Sequence, residues 1–161
     1  PLPVYSEDEL AFASAIHGTY ACRDIPGTAP KFDWKVKKQV KELTRDGQNP
    51  LNDFVMPYVP SDYMSPGSTD VGDVSWLTPT SQILTVTYPA GSPGHSWQNV
   101  AIGKHSVAHK GMIYAAQVLG CTVVDLFEDP TLLTAARNEW QQKTANGYTC
   151  PIEPGVTPCI I

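Results

Sequence analysis

The chain is poor in charge and has no excess of positive charge. Only 17% of its residues are charged, and the formal net charge is −5. A general nucleic-acid binder is usually basic, so no nucleic-acid partner is expected. No apolar run approaches the roughly 20 residues that a membrane span needs, so no membrane partner is expected either. No signal peptide is visible. The 4 cysteines, Cys22, Cys121, Cys150 and Cys159, contain no Cys-x-x-Cys pair, which argues against a zinc ribbon. A Gly-x-Ser-x-Gly elbow is missing, which removes the usual α/β-hydrolase serine. So is any glycine-rich phosphate loop of the P-loop or dinucleotide type. The first residue is Pro1 rather than Met, as expected of a processed, trimmed or incomplete polypeptide.

What is present suits one domain. The chain has 161 residues, 42% of them hydrophobic. A domain near this size buries roughly 70% of its unfolded surface. Cys121 falls inside an apolar helical pattern and is expected to be a buried thiol. Cys150 and Cys159 flank a proline-rich tail, and spacing alone leaves their pairing open. Cysteine usage favours a reducing, cytoplasmic setting.

Helices and loops alternate along the chain. Ser6 followed by Glu9 is a capping box, and Leu10, Phe12, Ala13 and Ile16 then share a helical face that should end near Gly18 or Tyr20. Residues 32–43 again read as helix. This stretch and its ends hold Lys31, Lys35, Lys37, Lys38, Lys41 and Arg45, six of the 11 basic side chains. A solvated helix face explains them more simply than an anion-docking patch, because no aromatics interleave. Residues 54–58 suggest a short edge strand, given Pro57. Residues 71–76 suggest one or two helical turns, with Asp70 placed to cap them. The clearest strand is 82–88, rich in β-branched and aromatic residues and closed by Pro89. A long helix follows His95, and Asp129-Pro130 opens another that Asn146-Gly147 stops.

His95 is the leading candidate for chemistry. It lies in Gly91-Ser92-Pro93-Gly94-His95-Ser96-Trp97-Gln98, at a strand-to-helix junction whose glycines allow a sharp turn. Imidazole is the commonest side-chain metal ligand, although a hydrogen-bonded structural histidine is the simpler reading of an isolated residue. His105 and His109 are four apart on a predicted helix face. The zincin pattern needs glutamate directly after the first histidine, and Ser106 stands there instead. Gly111 inside that helix costs about 1 kcal/mol relative to alanine and suggests a close packing contact. The loop Gly67-Ser68-Thr69-Asp70-Val71-Gly72-Asp73 offers amides and hydroxyls to a carboxylate or oxyanion. A plain turn and helix cap explains it equally well. Asp70 and Asp73 are three apart and could face one way.

Together, Gly67-Ser68-Thr69-Asp70-Val71-Gly72-Asp73-Val74-Ser75-Trp76 and Pro93-Gly94-His95-Ser96-Trp97-Gln98 resemble a known family. The similarity continues through Gly103-Lys104 and Ala108-His109-Lys110-Gly111-Met112, and through the opening Tyr5-Ser6-Glu7-Asp8-Glu9-Leu10-Ala11-Phe12-Ala13. The family is that of the zinc-dependent amidohydrolases and peptidases, with the aminoacylases, carboxypeptidase G and, most similar, the aminobenzoyl-glutamate hydrolases. The resemblance implies an α/β fold, the C-terminal part of a three-layer sandwich (a phosphorylase/hydrolase-like zinc-peptidase catalytic domain) spanning residues 1–161. It implies that His95 is the last metal ligand and that Ser68, Thr69 and Asp70 line the substrate pocket. It further implies two zinc ions per intact site, with manganese or cobalt able to satisfy similar ligands. The chemistry implied is hydrolysis of an amide bond in a small-molecule substrate (an N-acyl amino acid, an aminobenzoyl-glutamate-like compound or a dipeptide) by a metal-activated water and a glutamate base.

The chain also departs from that family. The other ligands and the base come from a His-x-Asp motif, a bridging aspartate, a Glu-Glu pair and a further acid, all preceding an inserted lid that usually mediates homodimerisation. Neither His-x-Asp nor Glu-Glu occurs here. The resemblance therefore implies a segment that follows the lid, has no catalytic residue of its own and lacks the N-terminal catalytic segment and the lid. Two other readings stay open. One is a non-catalytic homologous module or inactive fragment that binds a partner through the basic helix. The other is a small metalloprotein using His105 and His109.

Overall fold

The computed structural model describes residues 1–20, 33–58 and 69–157. These hold helices α1 (Glu7–His17), α2 (Trp34–Leu43), α3 (Val71–Leu77), α4 (Trp97–Gly103), α5 (Ser106–Glu128) and α6 (Pro130–Lys143). No strand occurs among the described residues. They fall into two compact units, one within Pro1–Ser61 and Ile83–Gly120, the other within Asp62–Gln82 and Cys121–Ile161.

The first unit is built on a small apolar core. Ala13, Leu51, Ile102 and Val107 are buried together, with Tyr5, Phe12 and Val86 packed against them. The capping box opens α1 as its sequence predicts. The Glu9 amide donates to Ser6 Oγ at 3.3 Å, and the Ser6 amide donates to Glu9 Oε2 at 2.7 Å. Glu9 has a second use that reaches across the chain. The residue is 4% exposed. Its carboxylate accepts from Ser106 Oγ at 2.6 Å and from Lys110 Nζ at 2.6 Å. Lys110 also donates to the Val4 carbonyl at 2.8 Å and stands 5.7 Å from the centre of the Tyr5 ring. The Lys110 hydrogen bond, then those of Ser106 and Ser6, pull the Glu9 carboxyl down to about 2. The first turns of α1 and α5 are thus tied by one satisfied charge cluster.

Residues 82–88 differ from expectation. They carry no strand pairing among the described residues. A strand needs a neighbouring backbone to complete its ladder, and no described segment supplies one. The segment lies instead directly on α5. Thr85 Oγ1 donates to the Gly111 carbonyl at 3.0 Å. A Cβ on Gly111 would stand 2.0 Å from the Val86 carbonyl oxygen. Gly111 is therefore the close contact that its place in the sequence suggests. Residues 54–58 also form no strand.

The helix expected after His95 is two helices, broken at Lys104-His105 after Gly103, a poor helix former. Only Val107 and Gly111 of α5 are buried. Cys121 is exposed rather than buried, because its apolar face has no partner among the described residues. By length and composition α5 could cross a membrane. Lys110 and Asp125 bracket an uncharged run of only 14 residues. That run is shorter than the roughly 20 apolar residues of a typical span.

Among its described residues the second unit has no comparable core. Neither α3 nor α6 buries a residue. Asp129 caps α6 by accepting from the Thr131 amide at 3.0 Å, with Pro130 opening the helix as the sequence predicts. Trp140 Nε1 donates to the Ser75 carbonyl at 2.9 Å. The Tyr148 hydroxyl donates to Asp73 Oδ1, and its ring stacks on Trp76 with centroids 5.8 Å apart.

Candidate functional site

His95 sits in the first unit on a turn anchored at both ends. On one side Pro89 is fully buried, and the Ala90 amide donates to the Pro50 carbonyl at 2.9 Å. On the other side Ser96 is the N-cap of α4. Its hydroxyl accepts from the Asn99 amide at 3.4 Å and donates to the Pro93 carbonyl at 2.7 Å. Ser92 Oγ donates to Asn99 Oδ1 at 2.5 Å, closing the turn from within. Buried Gln98 donates to Thr19 Oγ1 at 3.2 Å, which fixes α4 to the end of α1.

Between these anchors His95 has a left-handed backbone, φ 53°. Histidine tolerates this region better than most residues, at a cost of about 1 kcal/mol. The residue is exposed. A rigid frame thus presents one imidazole outward from a strained position. Trp97, directly after the N-cap, is also largely exposed.

The other predicted pocket residues belong to the second unit. Ser68 and Gly67 lie outside the described residues. Thr69 and Asp70 are exposed and lead directly into α3. Asp70 makes no side-chain capping bond, in contrast to its predicted role. Thr69 Oγ1 accepts from the Val71 amide at 3.4 Å in its place. Asp73 is engaged by the Tyr148 hydroxyl, so it is not a free partner for Asp70. That bond to Asp73 is also the first cause that pushes the Tyr148 phenol well above its ordinary value.

Of the remaining candidates, His105 has a structural duty. His105 precedes α5 rather than sharing a helical face with His109. Its ring stacks on Phe12 with centroids 4.3 Å apart, and its Nδ1 accepts from the Val107 amide at 3.4 Å. The basic residues of α2 are partly neutralised locally. Lys38 pairs with Glu42 at 3.9 Å and Lys41 with Asp46 at 3.4 Å. Lys31, Cys22 and Cys159 lie outside the described residues.

Among the described residues no three His, Cys, Asp or Glu side chains gather as a metal site. The donor set at His95 is a single imidazole. It fits one coordination position, whereas a held metal needs at least three protein donors in the usual catalytic case. These residues alone do not fit a complete metal centre. The Glu9–Lys110–Ser106 cluster escaped sequence reasoning because its partners are about a hundred positions apart. The capping box was its one local signal.

Across 158 residues, 97% of its length, the chain is 38% identical to one of the subunits of p-aminobenzoyl-glutamate hydrolase from Escherichia coli (strain K12). The match covers 33% of that protein, so the chain spans about a third of the length of the curated relative. No protein-family profile and no solved structure matches the chain.

Proposed function

Because the chain belongs to the amidohydrolase family of p-aminobenzoyl-glutamate hydrolase, we propose that the protein carrying it hydrolyses the amide bond of p-aminobenzoyl-glutamate or a similar N-acyl amino acid. The 38% identity over nearly the whole chain carries this reading. The chain corresponds to the C-terminal part of the catalytic domain, after the lid. Its fold there is one side of an α/β sandwich, whose sheet is completed by chain that this segment does not contain. Two features support that placement. Leu84, in the strand-like segment, is 98% exposed, and its backbone has no strand partner among the described residues. Met112, Ile113, Leu119 and Val123 of α5 are exposed apolar residues of the kind a protein layer covers.

In this reading His95 contributes one ligand to a metal site whose other donors lie elsewhere in the protein. Zinc is the family's metal, and manganese or cobalt suits the same donors. The outward turn and the strained backbone support His95 in that role. Ser68, Thr69 and Asp70 line the substrate pocket. The general base is not supplied by this chain. The relative is named as one subunit of its enzyme, which supports assembly with a further chain, and the intact protein is proposed to be at least dimeric.

His95→Ala in the complete protein tests the assignment. Metal content and hydrolysis of p-aminobenzoyl-glutamate should fall together. Full metal occupancy in the variant would refute the ligand role. A His-x-Asp and a Glu-Glu encoded upstream of Pro1 would support the placement, and a start codon directly before Pro1 would contradict it.

A further inference from the structure

We propose that Tyr148 and Trp140 are positioning residues for substrate. They fix helix α3 and, through it, the Thr69–Asp70 segment that leads into it. The inference rests on the reading of Thr69 and Asp70 as pocket residues.

Helix α3 cannot hold itself. It has 7 residues and buries none of them. Isolated helices shorter than about 12 residues are marginal in water. Asp70 gives it no side-chain cap, and the Thr69 hydroxyl contact to the Val71 amide is long at 3.4 Å. Its C-terminal end has a particular deficit. The Ser75 carbonyl would bond to the amide four residues on, but that residue is Pro79, which has no N–H. The indole of Trp140 supplies the missing donor at 2.9 Å.

Tyr148 completes the restraint. Gly147 adopts a left-handed backbone, φ 78°, after α6, and Tyr148 follows it. The Tyr148 hydroxyl donates to Asp73, and its ring covers Trp76. Asp73, Ser75 and Trp76 are thus each held by a side chain some 65 to 75 positions away. These contacts decide where α3 begins, and the residues directly before it are Thr69 and Asp70. Tyr148 and Trp140 act through α3 and need not touch the substrate.

The test uses the complete protein and p-aminobenzoyl-glutamate. Tyr148→Phe keeps the ring on Trp76 and loses the bond to Asp73. Trp140→Phe loses the indole N–H. Asp73→Asn keeps an acceptor for the Tyr148 hydroxyl and serves as the conservative control. Tyr148→Phe and Trp140→Phe should each raise KM about tenfold, with kcat and metal content held within about twofold. Asp73→Asn should stay within about threefold of the parent KM. Unchanged KM in both variants would overturn the proposal. So would an equal loss of kcat and metal content, the mark of general misfolding. Amide hydrogen exchange separates this inference from the functional reading. The Val74 and Thr78 amides should exchange about tenfold faster in Tyr148→Phe, while the Leu10 amide of α1 stays unchanged. If the parent protein leaves p-aminobenzoyl-glutamate intact, the functional reading fails and exchange alone decides whether Tyr148 fixes α3. Unaltered exchange at Val74 and Thr78 refutes the positioning role.

Discussion

The two compact units are held by different chemistry. The first buries Ala13, Leu51, Ile102 and Val107 and sets a satisfied charge cluster beside them. The second buries no residue of α3 or α6 and depends on single polar and aromatic contacts. The candidate residues inherit this difference. His95 is placed by a frame tied to a core, so its backbone can be strained and still persist. Thr69 and Asp70 are placed by contacts that one substitution removes. A metal ligand needs a fixed position, and the frame tied to the core suits His95 for that proposed role.

The largest effect that probes this contrast is expected at Gly111. Gly111→Ala would force a methyl group to within 2.0 Å of the Val86 carbonyl oxygen. The clash is with backbone, so relief requires the 82–88 segment to move. A loss of about 3 kcal/mol from the first unit is expected, read from the urea midpoint. An unchanged midpoint would mean that 82–88 does not rest on α5.

Lys110→Met comes next. It leaves the Glu9 carboxylate buried with only Ser6 and Ser106 as partners. The Lys110 side chain is 38% exposed, so solvent screening trims its share. A cost of about 2 kcal/mol is expected in thermal or urea unfolding. A gain in stability would show that the pair is a net burden, as some buried pairs are.

Titration should separate the units by sign. The folded Glu9 carboxyl lies near 2, below its ordinary 4.5. Its contribution is present above pH 4.5 and drains away as pH falls toward 2. The Tyr148 phenol is shifted the other way, raised first by its hydrogen bond to Asp73. Its contribution is present below its ordinary value of 10 and is lost as pH rises through the folded value. Amide exchange should therefore show the first unit loosening in acid and α3 loosening in alkali. The same order of loosening at both extremes would erase the distinction.

The smallest effect is expected on the open face of the second unit. Phe127 is 84% exposed. Phe127→Ser should change the stability of this chain by less than about 0.5 kcal/mol. A larger loss would reveal packing at Phe127 and weaken the contrast.

Local chemistry was legible in the sequence where donor and acceptor lie close along the chain. The Ser6–Glu9 box, the Asp129-Pro130 helix start and the tight spot at Gly111 are such cases. Helical periodicity also located α1 and α2. It could not say whether a partner covers an apolar face, which is why Cys121 reads as buried and is exposed. The same limit governs 82–88. β-branched residues announce a strand, but the ladder depends on a neighbour whose backbone must be present. The second duties of Glu9 and Asp73 were illegible because Lys110 and Tyr148 meet them only through folding. For the candidate site, the motif around His95 pointed to the residue. Its left-handed backbone and the Gln98–Thr19 anchor came only with the fold.

The most direct test is an assay of p-aminobenzoyl-glutamate hydrolysis with the complete protein and with the 161-residue chain alone. The complete protein should release p-aminobenzoate, and the isolated chain should release none with or without added zinc. Zinc-stimulated hydrolysis by the isolated chain would contradict the claim that it supplies only part of the site.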